Sequence, residues 1–228
     1  MTEFDVIVIG AGINGAGIGR DAAMRGLRVL LVDKGDVGGG TSAGSTRLIH
    51  GGLRYLEHFE FGLVRESLRE RETLLRIAPH LVRPLEMTIP IYQESQRGWT
   101  TVRAGMIAYE LLAWGKSLPR YRMQSVRETL RRMPGLRAEG LIGSAVYFDA
   151  QVEFAERLVV ENVLAAIEQG ATVLTHTRVG TLLSEDGRVR GVQLGRDFGE
   201  VALAQVVINA AGPWVDQVIE QKIGGTQT

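Results

Sequence analysis

Residues 4–15 read FDVIVIGAGING, and this segment decides the fold of the 228-residue chain. The apolar run over residues 4–9 predicts a buried strand, and the glycines follow it at the spacing of a dinucleotide-binding turn. Gly10 permits a tight turn, Gly12 lets the backbone approach a pyrophosphate, and Gly15 lets the next helix pack close to the strand. The segment therefore predicts a β-α-β unit that binds a nucleotide cofactor.

The residues that follow this turn favour the same interpretation. The helix is predicted to begin near Asn14, where its free N–H groups and positive dipole end face the phosphates. Gly26 stands where that helix should stop, and a second apolar run over residues 28–32 leads into Asp33. Asp33 is placed to accept hydrogen bonds from an adenosine ribose. We therefore expect a ligand that contains an ADP half.

The composition is that of a globular chain without an overall charge. Of its residues 45% are hydrophobic, and 26 basic residues balance 26 acidic ones, so no global positive field favours nucleic acid as a partner. The sequence has no cysteine, which excludes disulfides and thiolate metal ligands, and we expect no metal site. No apolar stretch approaches the roughly 20 residues that span a bilayer. A cytoplasmic chain is the simplest interpretation.

Three regions follow one another along the chain, and the first and third belong together. Residues 1–45 and 149–228 predict a discontinuous nucleotide-binding domain of the α/β class with a Rossmann-like sheet. Residues 46–148 predict an inserted substrate or cap segment of helical and mixed structure. Residues 38–45 are all Gly, Ser, Thr or Ala. They form either a flexible linker or a loop that closes around a phosphate or ribityl chain, and the nearby nucleotide motif favours the loop.

Periodicity predicts elements inside the inserted segment. A helix is expected over residues 61–78, and its charged side chains are predicted to form a solvated face; they are Arg65, Glu66, Arg69, Glu70, Arg71 and Glu72. A strand is expected over residues 86–92, where Pro90 predicts an edge position.

The third region returns to α/β patterning. It predicts a helix over residues 151–169, a hairpin with Asp186-Gly187 at its turn, and an apolar strand over residues 201–208. Small residues follow that strand at positions 210–212. They allow the strand end to approach a bound nucleotide closely.

Aromatic, aliphatic and basic side chains are interleaved between residues 97 and 122, where two of the three tryptophans lie. This mixture is typical of an interfacial helix that lies on a membrane surface. A helix that packs its apolar side into the core and leaves a basic rim has the same composition. The segment leaves both interpretations open.

One long motif resembles a known family. Residues 41–57 read TSAGSTRLIHGGLRYLE, which resembles the signature of FAD-dependent glycerol-3-phosphate dehydrogenases. Further similar stretches extend the resemblance over essentially the whole chain; they are residues 64–66, 70–72, 78–81, 149, 157–159 and 209–215. The resemblance implies an FAD-binding fold of the glutathione-reductase and amino-acid-oxidase type.

The resemblance also implies a reaction and its partners. The reaction is oxidation of sn-glycerol 3-phosphate to dihydroxyacetone phosphate, with the hydride passing to FAD and the electrons to quinone, or to oxygen in an oxidase form. The family's habit further implies peripheral contact with the cytoplasmic membrane, and it leaves room for a homodimer.

Residue roles follow from the same resemblance. The glycine motif corresponds to the pyrophosphate contacts, Asp33 to the ribose contact, and Val179 to the adenine contact. The full set of implied FAD contacts is Gly10, Gly12, Ile13, Asn14, Gly15, Asp33, Lys34, Thr41, Ser42, Ser45, His50, Gly51, Gly52, Val179, Ala211 and Gly212. The implied catalytic residues are His50, Arg54 and Tyr55.

The chemistry suits a histidine and an arginine. Oxidation of a secondary alcohol requires a hydride acceptor and a base for the hydroxyl proton, and an imidazole titrates in the range that suits this role. His50 is the candidate base; alternatively it only hydrogen-bonds the flavin or the backbone, or it carries a covalent flavin link. Arg54 offers a planar fork that matches a phosphate.

Members of the family that this chain resembles are considerably longer. We therefore expect the chain to be a truncated N-terminal portion whose active site is completed by further sequence, and we do not expect full activity from it alone. Two other interpretations remain open. One is another FAD-dependent oxidase of the same superfamily, of the 2-hydroxy-acid type, and the other is an inactive flavin-binding remnant.

Overall fold

A computed structural model describes residues 2–195, 199–220 and 223–225, and the chain divides into two compact units. Unit 1 consists of Met1–Thr46 and Phe154–Thr228, and unit 2 consists of Arg47–Glu153. The sequence predicts the return to the first unit at residue 149. That position lies inside a strand that runs to Val152, and its pairing holds these residues in unit 2.

The helices and strands alternate in unit 1 and are mixed in unit 2. In chain order they are β1 (Thr2–Ile9), α1 (Ile13–Met24), β2 (Val29–Val32), β3 (Leu48–Ile49), a 3₁₀ helix (Leu53–His58), α2 (Phe61–Ile77), β4 (Val82–Tyr92), α3 (Trp99–Leu112), β5 (Arg122–Ser125), α4 (Val126–Arg132), β6 (Leu141–Val152), α5 (Ala155–Glu168), β7 (Thr172–Leu174), β8 (Val179–Glu185), β9 (Arg188–Leu194), β10 (Glu200–Asn209), a 3₁₀ turn (Gly212–Trp214), α6 (Val215–Ile219) and β11 (Ile223–Gly225).

Unit 1 is built on a seven-stranded sheet with the order β11-β8-β9-β10-β1-β2-β7. Strands β10, β1, β2 and β7 run parallel, whereas β9 pairs antiparallel with both β10 and β8. The chain moves from β1 to β2 on one side and returns to β10 on the other. Such a reversal opens a crevice at the carboxyl ends of the strands, where α/β proteins bind ligands. The predicted α/β fold is confirmed.

Two apolar clusters lie on opposite faces of β1 and β2. On one face, Val8 and Leu31 pack with Ala and Val side chains of α1 and α5. On the other face, Ile7 and Leu30 pack with apolar side chains of β8 and β9. Neighbouring residues alternate between the clusters because a strand has a side-chain period of two. Burial on both faces explains the continuous apolar runs in the sequence.

The elements that local sequence signals predict for the C-terminal part of unit 1 agree with the structure, except that one helix begins later. Asp186 and Gly187 form the turn between β8 and β9 with φ angles of 50° and 73°, as a two-residue hairpin turn of the primed type requires. The strand predicted over residues 201–208 is β10. The helix predicted from residue 151 begins only at Ala155, because β6 occupies the preceding residues.

Unit 2 is organised around β6. Strand β4 pairs antiparallel with one edge of β6, and the short strands β3 and β5 pair with the other edge at different positions. Among the described strands β4 therefore lies at the edge of its sheet, as Pro90 predicts. Ala145, Tyr147 and Asp149 share one face of β6 by their spacing, and the helices α2 and α3 cover the first two of them.

The predicted solvated face of α2 is wrong at one residue. Arg71 is fully buried, whereas Arg65, Glu66, Arg69 and Glu70 are exposed as expected. The apolar stripe of this helix includes Val64 and Leu68. Arg71 follows Leu68 by three residues and therefore lies on the same side of the helix.

Helix α3 combines features of both interpretations of residues 97–122. Met106 and Tyr109 are buried in the core of unit 2, while Ile107, Leu111 and Trp114 are exposed. Within the described residues, no helix is both long and apolar enough to cross a bilayer.

Candidate functional site

The turn after β1 is packed so closely that two of its glycines are required. Gly10 has a φ of +105°, and a Cβ atom there would lie 2.6 Å from the carbonyl oxygen of Ala210. A Cβ atom at Gly15 would lie 1.8 Å from the carbonyl oxygen of Gly10. These contacts hold the start of α1 against the ends of β1 and β10, as the glycine motif predicts.

The third glycine opens a space at the N-terminus of α1. A Cβ atom at Gly12 would meet only the Oγ of Ser42, at 3.5 Å. That hydroxyl accepts a hydrogen bond from the Ile13 N–H at 3.0 Å. The N-cap is Gly12, which has no side chain to bond the other first-turn N–H groups, and no acidic residue lies in the first turn. The positive end of the helix is therefore available to an anion.

Asp33 is held rigidly at the end of β2. Its Oδ2 accepts from the Ala11 N–H at 2.6 Å and its Oδ1 accepts from the Gly35 N–H at 2.9 Å. The Thr177 N–H donates to the Asp33 carbonyl at 2.8 Å, which ties the loop after β7 to the same place. Each carboxylate oxygen keeps acceptor capacity, so Asp33 can still receive ribose hydroxyls.

The remaining candidates of unit 1 differ in their surroundings. The Nζ of Lys34 lies 4.3 Å from the centroid of the Trp214 ring. Val179 is buried in the apolar cluster with β9, so its side chain is a core residue and only its backbone remains for an adenine. Ala211 and Gly212 lie two and three residues after the end of β10 at Asn209. Partly or fully exposed positions are occupied by Ile13, Asn14, Thr41, Ser42 and Ser45.

Unit 2 contains a pocket of its own with a volume of about 290 Å³. It is lined by Leu48, His50, Gly52, Leu53, Arg54, Tyr55, Met87, Tyr147 and Asp149. All three catalytic candidates from the sequence thus meet in one pocket. Met87 and Tyr147 were not predicted as site residues. They are register partners on β4 and β6, so only a prediction of that strand pair would have identified them.

A tight turn fixes His50. The Gly52 N–H donates to the Nδ1 of His50 at 2.8 Å, and Gly52 has a φ of +66°. A Cβ atom at Gly52 would also lie 2.4 Å from the ring of Tyr55. Because Nδ1 acts as an acceptor, the neutral imidazole carries its proton on Nε2. Gly52 therefore determines both the orientation of His50 and the packing of Tyr55.

A family model described as FAD dependent oxidoreductase matches residues 5–227. The chain belongs to this family. FAD is the cofactor of these oxidoreductases, and the open space over Gly12, the positive end of α1 and the carboxylate of Asp33 fit its ADP half.

Curated relatives of this FAD-dependent oxidoreductase confirm the resemblance seen in residues 41–57. The glycerol-3-phosphate dehydrogenase of Synechocystis sp. is 48% identical over 99% of this chain and 44% of its own length. The D-erythritol 1-phosphate dehydrogenase of Brucella abortus is 42% identical over 98% of this chain and 44% of its own length. The chain therefore spans less than half the length of these relatives.

A solved structure shows the same fold. The glycerol-3-phosphate dehydrogenase from Bacillus halodurans, complexed with FAD, is 30% identical with a TM-score of 0.72. The match covers 96% of this chain and 36% of that one.

A buried polar network of this oxidoreductase reaches the pocket at Asp149, which is one of its lining residues. The Gly51 N–H donates to the Tyr109 hydroxyl at 2.9 Å, and that hydroxyl donates to Asp149 at 2.9 Å. The Nη1 of Arg71 donates to the same carboxylate at 2.6 Å. Burial and the charge of Asp149 raise the pKa of Tyr109 far above its ordinary value, so its hydroxyl keeps its proton.

Tyr147 is affected by the same carboxylate. Burial and the charge of Asp149 raise the pKa of Tyr147 to about 12. Its hydroxyl therefore stays protonated at neutral pH and remains a hydrogen-bond donor in the wall of the pocket.

Proposed function

We propose that this chain carries the cofactor cradle and part of the active site of an FAD-dependent dehydrogenase that oxidises sn-glycerol 3-phosphate to dihydroxyacetone phosphate. The observation that supports it most is the meeting of His50, Arg54 and Tyr55 in one pocket of a chain that is 48% identical to a glycerol-3-phosphate dehydrogenase. When bound, FAD supplies the hydride acceptor.

Unit 1 binds the cofactor in this proposal. The first-turn N–H groups of α1 hold the pyrophosphate, and Gly12 leaves room for it. Asp33 accepts hydrogen bonds from the ribose, while Ser42, which already anchors the Ile13 N–H, lines the phosphate side. Lys34, Thr41 and the other exposed candidates complete the contacts that the family resemblance implies.

Unit 2 binds the substrate in this proposal. A volume of about 290 Å³ is at the lower end for small-molecule sites and suits a three-carbon phosphate. The Arg54 guanidinium pairs with the phosphate through two parallel N–H donors. Tyr55 and Tyr147 present ring faces and hydroxyl groups to the carbon chain.

For His50 we favour the role of a hydrogen-bond donor over that of the base. The Gly52 N–H occupies Nδ1 at 2.8 Å, so the neutral ring offers Nε2–H, which donates to a substrate or flavin oxygen. A base requires a free lone pair on the nitrogen that faces the substrate. Acid precipitation of the FAD-loaded chain tests the covalent alternative, since flavin in the supernatant contradicts a covalent link.

A second candidate substrate is a longer polyol phosphate. It is favoured by the 42% identity to the D-erythritol 1-phosphate dehydrogenase of Brucella abortus. Both names describe a phosphorylated polyol, so the proposed phosphate contact of Arg54 serves either substrate. The length of the carbon chain then distinguishes them.

The experiment is anaerobic reduction of the FAD-loaded chain, followed by absorbance near 450 nm. We expect bleaching by sn-glycerol 3-phosphate at a rate that Arg54→Ala lowers and Arg54→Lys partly restores. Faster bleaching by D-erythritol 1-phosphate supports the second candidate, and bleaching by a 2-hydroxy acid alone contradicts both. The absence of bleaching by any of them contradicts activity of this chain on its own.

We further propose peripheral membrane contact and quinone as the electron acceptor. The exposed fractions of Ile107 and Leu111 on α3, and of Trp114 just after it, are 43%, 63% and 88%. Arg103 is exposed on the same helix. These side chains suit the boundary between lipid head groups and acyl chains. We expect the chain to sediment with vesicles that contain anionic lipid, and Trp114→Ser with Leu111→Ser to abolish this. Hydrogen peroxide release without added quinone contradicts the quinone assignment.

A further inference from the structure

Three buried polar side chains of unit 2 form a connected network beside the pocket, and one of them, Asp149, lines it. Arg71 is 0% exposed, and Asp149 and Tyr109 are each 2% exposed. Burial of a charge is unfavourable unless it is paired and hydrogen-bonded. The sequence resemblance gives Arg71 and Asp149 no role, and Tyr109 lies in a segment whose composition fits either a membrane-surface helix or a helix packed into the core.

The hydrogen bonds between these groups have one possible direction. Arg71 can only donate and an ionised Asp149 can only accept. The Tyr109 hydroxyl must therefore donate to Asp149, at 2.9 Å and 3.1 Å from its two oxygens. This leaves the hydroxyl oxygen as an acceptor, and the Gly51 N–H donates to it at 2.9 Å.

The network ends on the turn that carries His50. A Cβ atom at Gly51 would lie 2.6 Å from the Tyr109 hydroxyl and 2.5 Å from Leu68, so only glycine allows this approach. The next N–H along the chain, that of Gly52, donates to the Nδ1 of His50. Two consecutive amides of one turn are thus fixed, the first by the buried network and the second by the imidazole.

We propose that Arg71, Asp149 and Tyr109 are positioning residues that hold the Gly51-Gly52 turn and so keep His50 in the tautomer with its proton on Nε2. The significance of this for catalysis rests on the proposed function. The geometry itself involves only side chains and amides of unit 2, and its test requires neither flavin nor substrate.

The test is NMR spectroscopy of the ¹⁵N-labelled 228-residue chain. In the unaltered protein, the imidazole nitrogen shifts of neutral His50 should show a single tautomer with the proton on Nε2. The Gly51 amide should exchange with solvent as slowly as the amides of α2. If the unaltered protein shows a mixture of His50 tautomers together with fast exchange of the Gly51 amide, the proposal is overturned and no variant is needed.

Tyr109→Phe removes the acceptor and keeps the ring. We expect exchange at Gly51 to rise roughly tenfold relative to the amides of α2, because one hydrogen bond is lost, and His50 to become a mixture of tautomers. Thr129→Val is the matched control. Thr129 is a buried residue whose hydroxyl bonds Ser144 and the Ser125 carbonyl, and the pocket lining does not include it.

If the network only stabilises the fold, Tyr109→Phe and Thr129→Val should have the same effect on amide exchange at Gly51 and on the tautomer of His50. This result would overturn the proposal. These NMR signals do not depend on activity. Failure of the chain to oxidise any substrate contradicts activity of this chain on its own and leaves the positioning role standing, whereas unchanged NMR signals in Tyr109→Phe contradict the positioning role alone.

Discussion

The pair formed by Arg71 and Asp149 should contribute strongly to the stability of unit 2. Asp149→Asn removes the negative charge and keeps the shape of the side chain. Loss of one partner from a buried ion pair costs about 3–5 kcal/mol. Arg71 keeps the Glu72 carboxylate at 3.1 Å and the Phe148 carbonyl at 3.3 Å, so we expect the lower end, about 3 kcal/mol.

Urea unfolding at 25 °C, followed by tryptophan fluorescence, measures this loss. Trp99 and Trp114 belong to unit 2 and Trp214 to unit 1, so a Trp214→Phe background reports on unit 2. With a denaturant slope of about 2 kcal/mol per molar, the midpoint should fall by roughly 1.5 M. The expected loss of about 3 kcal/mol is a large part of the roughly 5–15 kcal/mol that stabilises a typical domain.

Two further variants show whether the buried charge is the cause. Glu94→Gln disrupts an exposed pair of the same unit, the one with Arg137, and should leave the midpoint nearly unchanged. Arg71→Met combined with Asp149→Leu removes both charges and should restore most of the stability. The reasoning is refuted by an Asp149→Asn midpoint equal to that of Glu94→Gln.

Three other outcomes follow from the structure. Gly15→Ala places a methyl group 1.8 Å from the Gly10 carbonyl oxygen and should destabilise unit 1 by at least about 1–3 kcal/mol, measured by thermal unfolding. Burial raises the pKa of Tyr147 to about 12 and also raises that of Tyr109. The folded state then holds these protons more tightly than the unfolded state, whose tyrosines titrate near pH 10. The free energy of unfolding should therefore be constant up to about pH 10 and decrease as the pH approaches 12. Tyr147→Phe should make this decrease smaller. Gly187→Ala at a φ of 73° should cost about 1 kcal/mol, and an unchanged melting temperature contradicts the primed turn.

The fold of unit 1 is readable from the sequence because its signals are local. The glycine spacing, the apolar runs of β1 and β2 and the Asp186-Gly187 turn each act within a few residues. Only the start of α5 was misplaced, because β6 continues farther than its composition indicates.

Unit 2 was harder to predict because long-range pairing determines it. Strand β6 contains Ser144, Asp149 and Gln151, which interrupt its apolar pattern, and it is stabilised by β4 and β5 from distant parts of the chain. Without β6, neither Tyr147 nor Asp149 can be placed in the pocket. The hydrogen bond that fixes His50 depends on the backbone conformation of Gly52, which periodicity does not reveal.

The spacing of apolar residues in α2 indicates that Arg71 is buried, although its charge favours an exposed position. Val64, Leu68, Arg71 and Leu75 have the spacing of one helical stripe, so position 71 belongs to the buried side by periodicity alone. The interpretation of the neighbouring charges as one solvated face followed residue type instead. A lone charge on an apolar stripe is better regarded as the sign of a buried partner, here Asp149.

The central claim is that the turn after β1 holds the ADP half of FAD, and equilibrium binding of FAD to the 228-residue chain tests it most directly. We expect FAD to bind, ADP to compete with it, and Gly12→Asp to abolish binding, while Gly17→Asp on the same helix, where a Cβ atom meets nothing within 4 Å, retains it. Equal FAD affinity of Gly12→Asp and the unaltered chain would contradict the account.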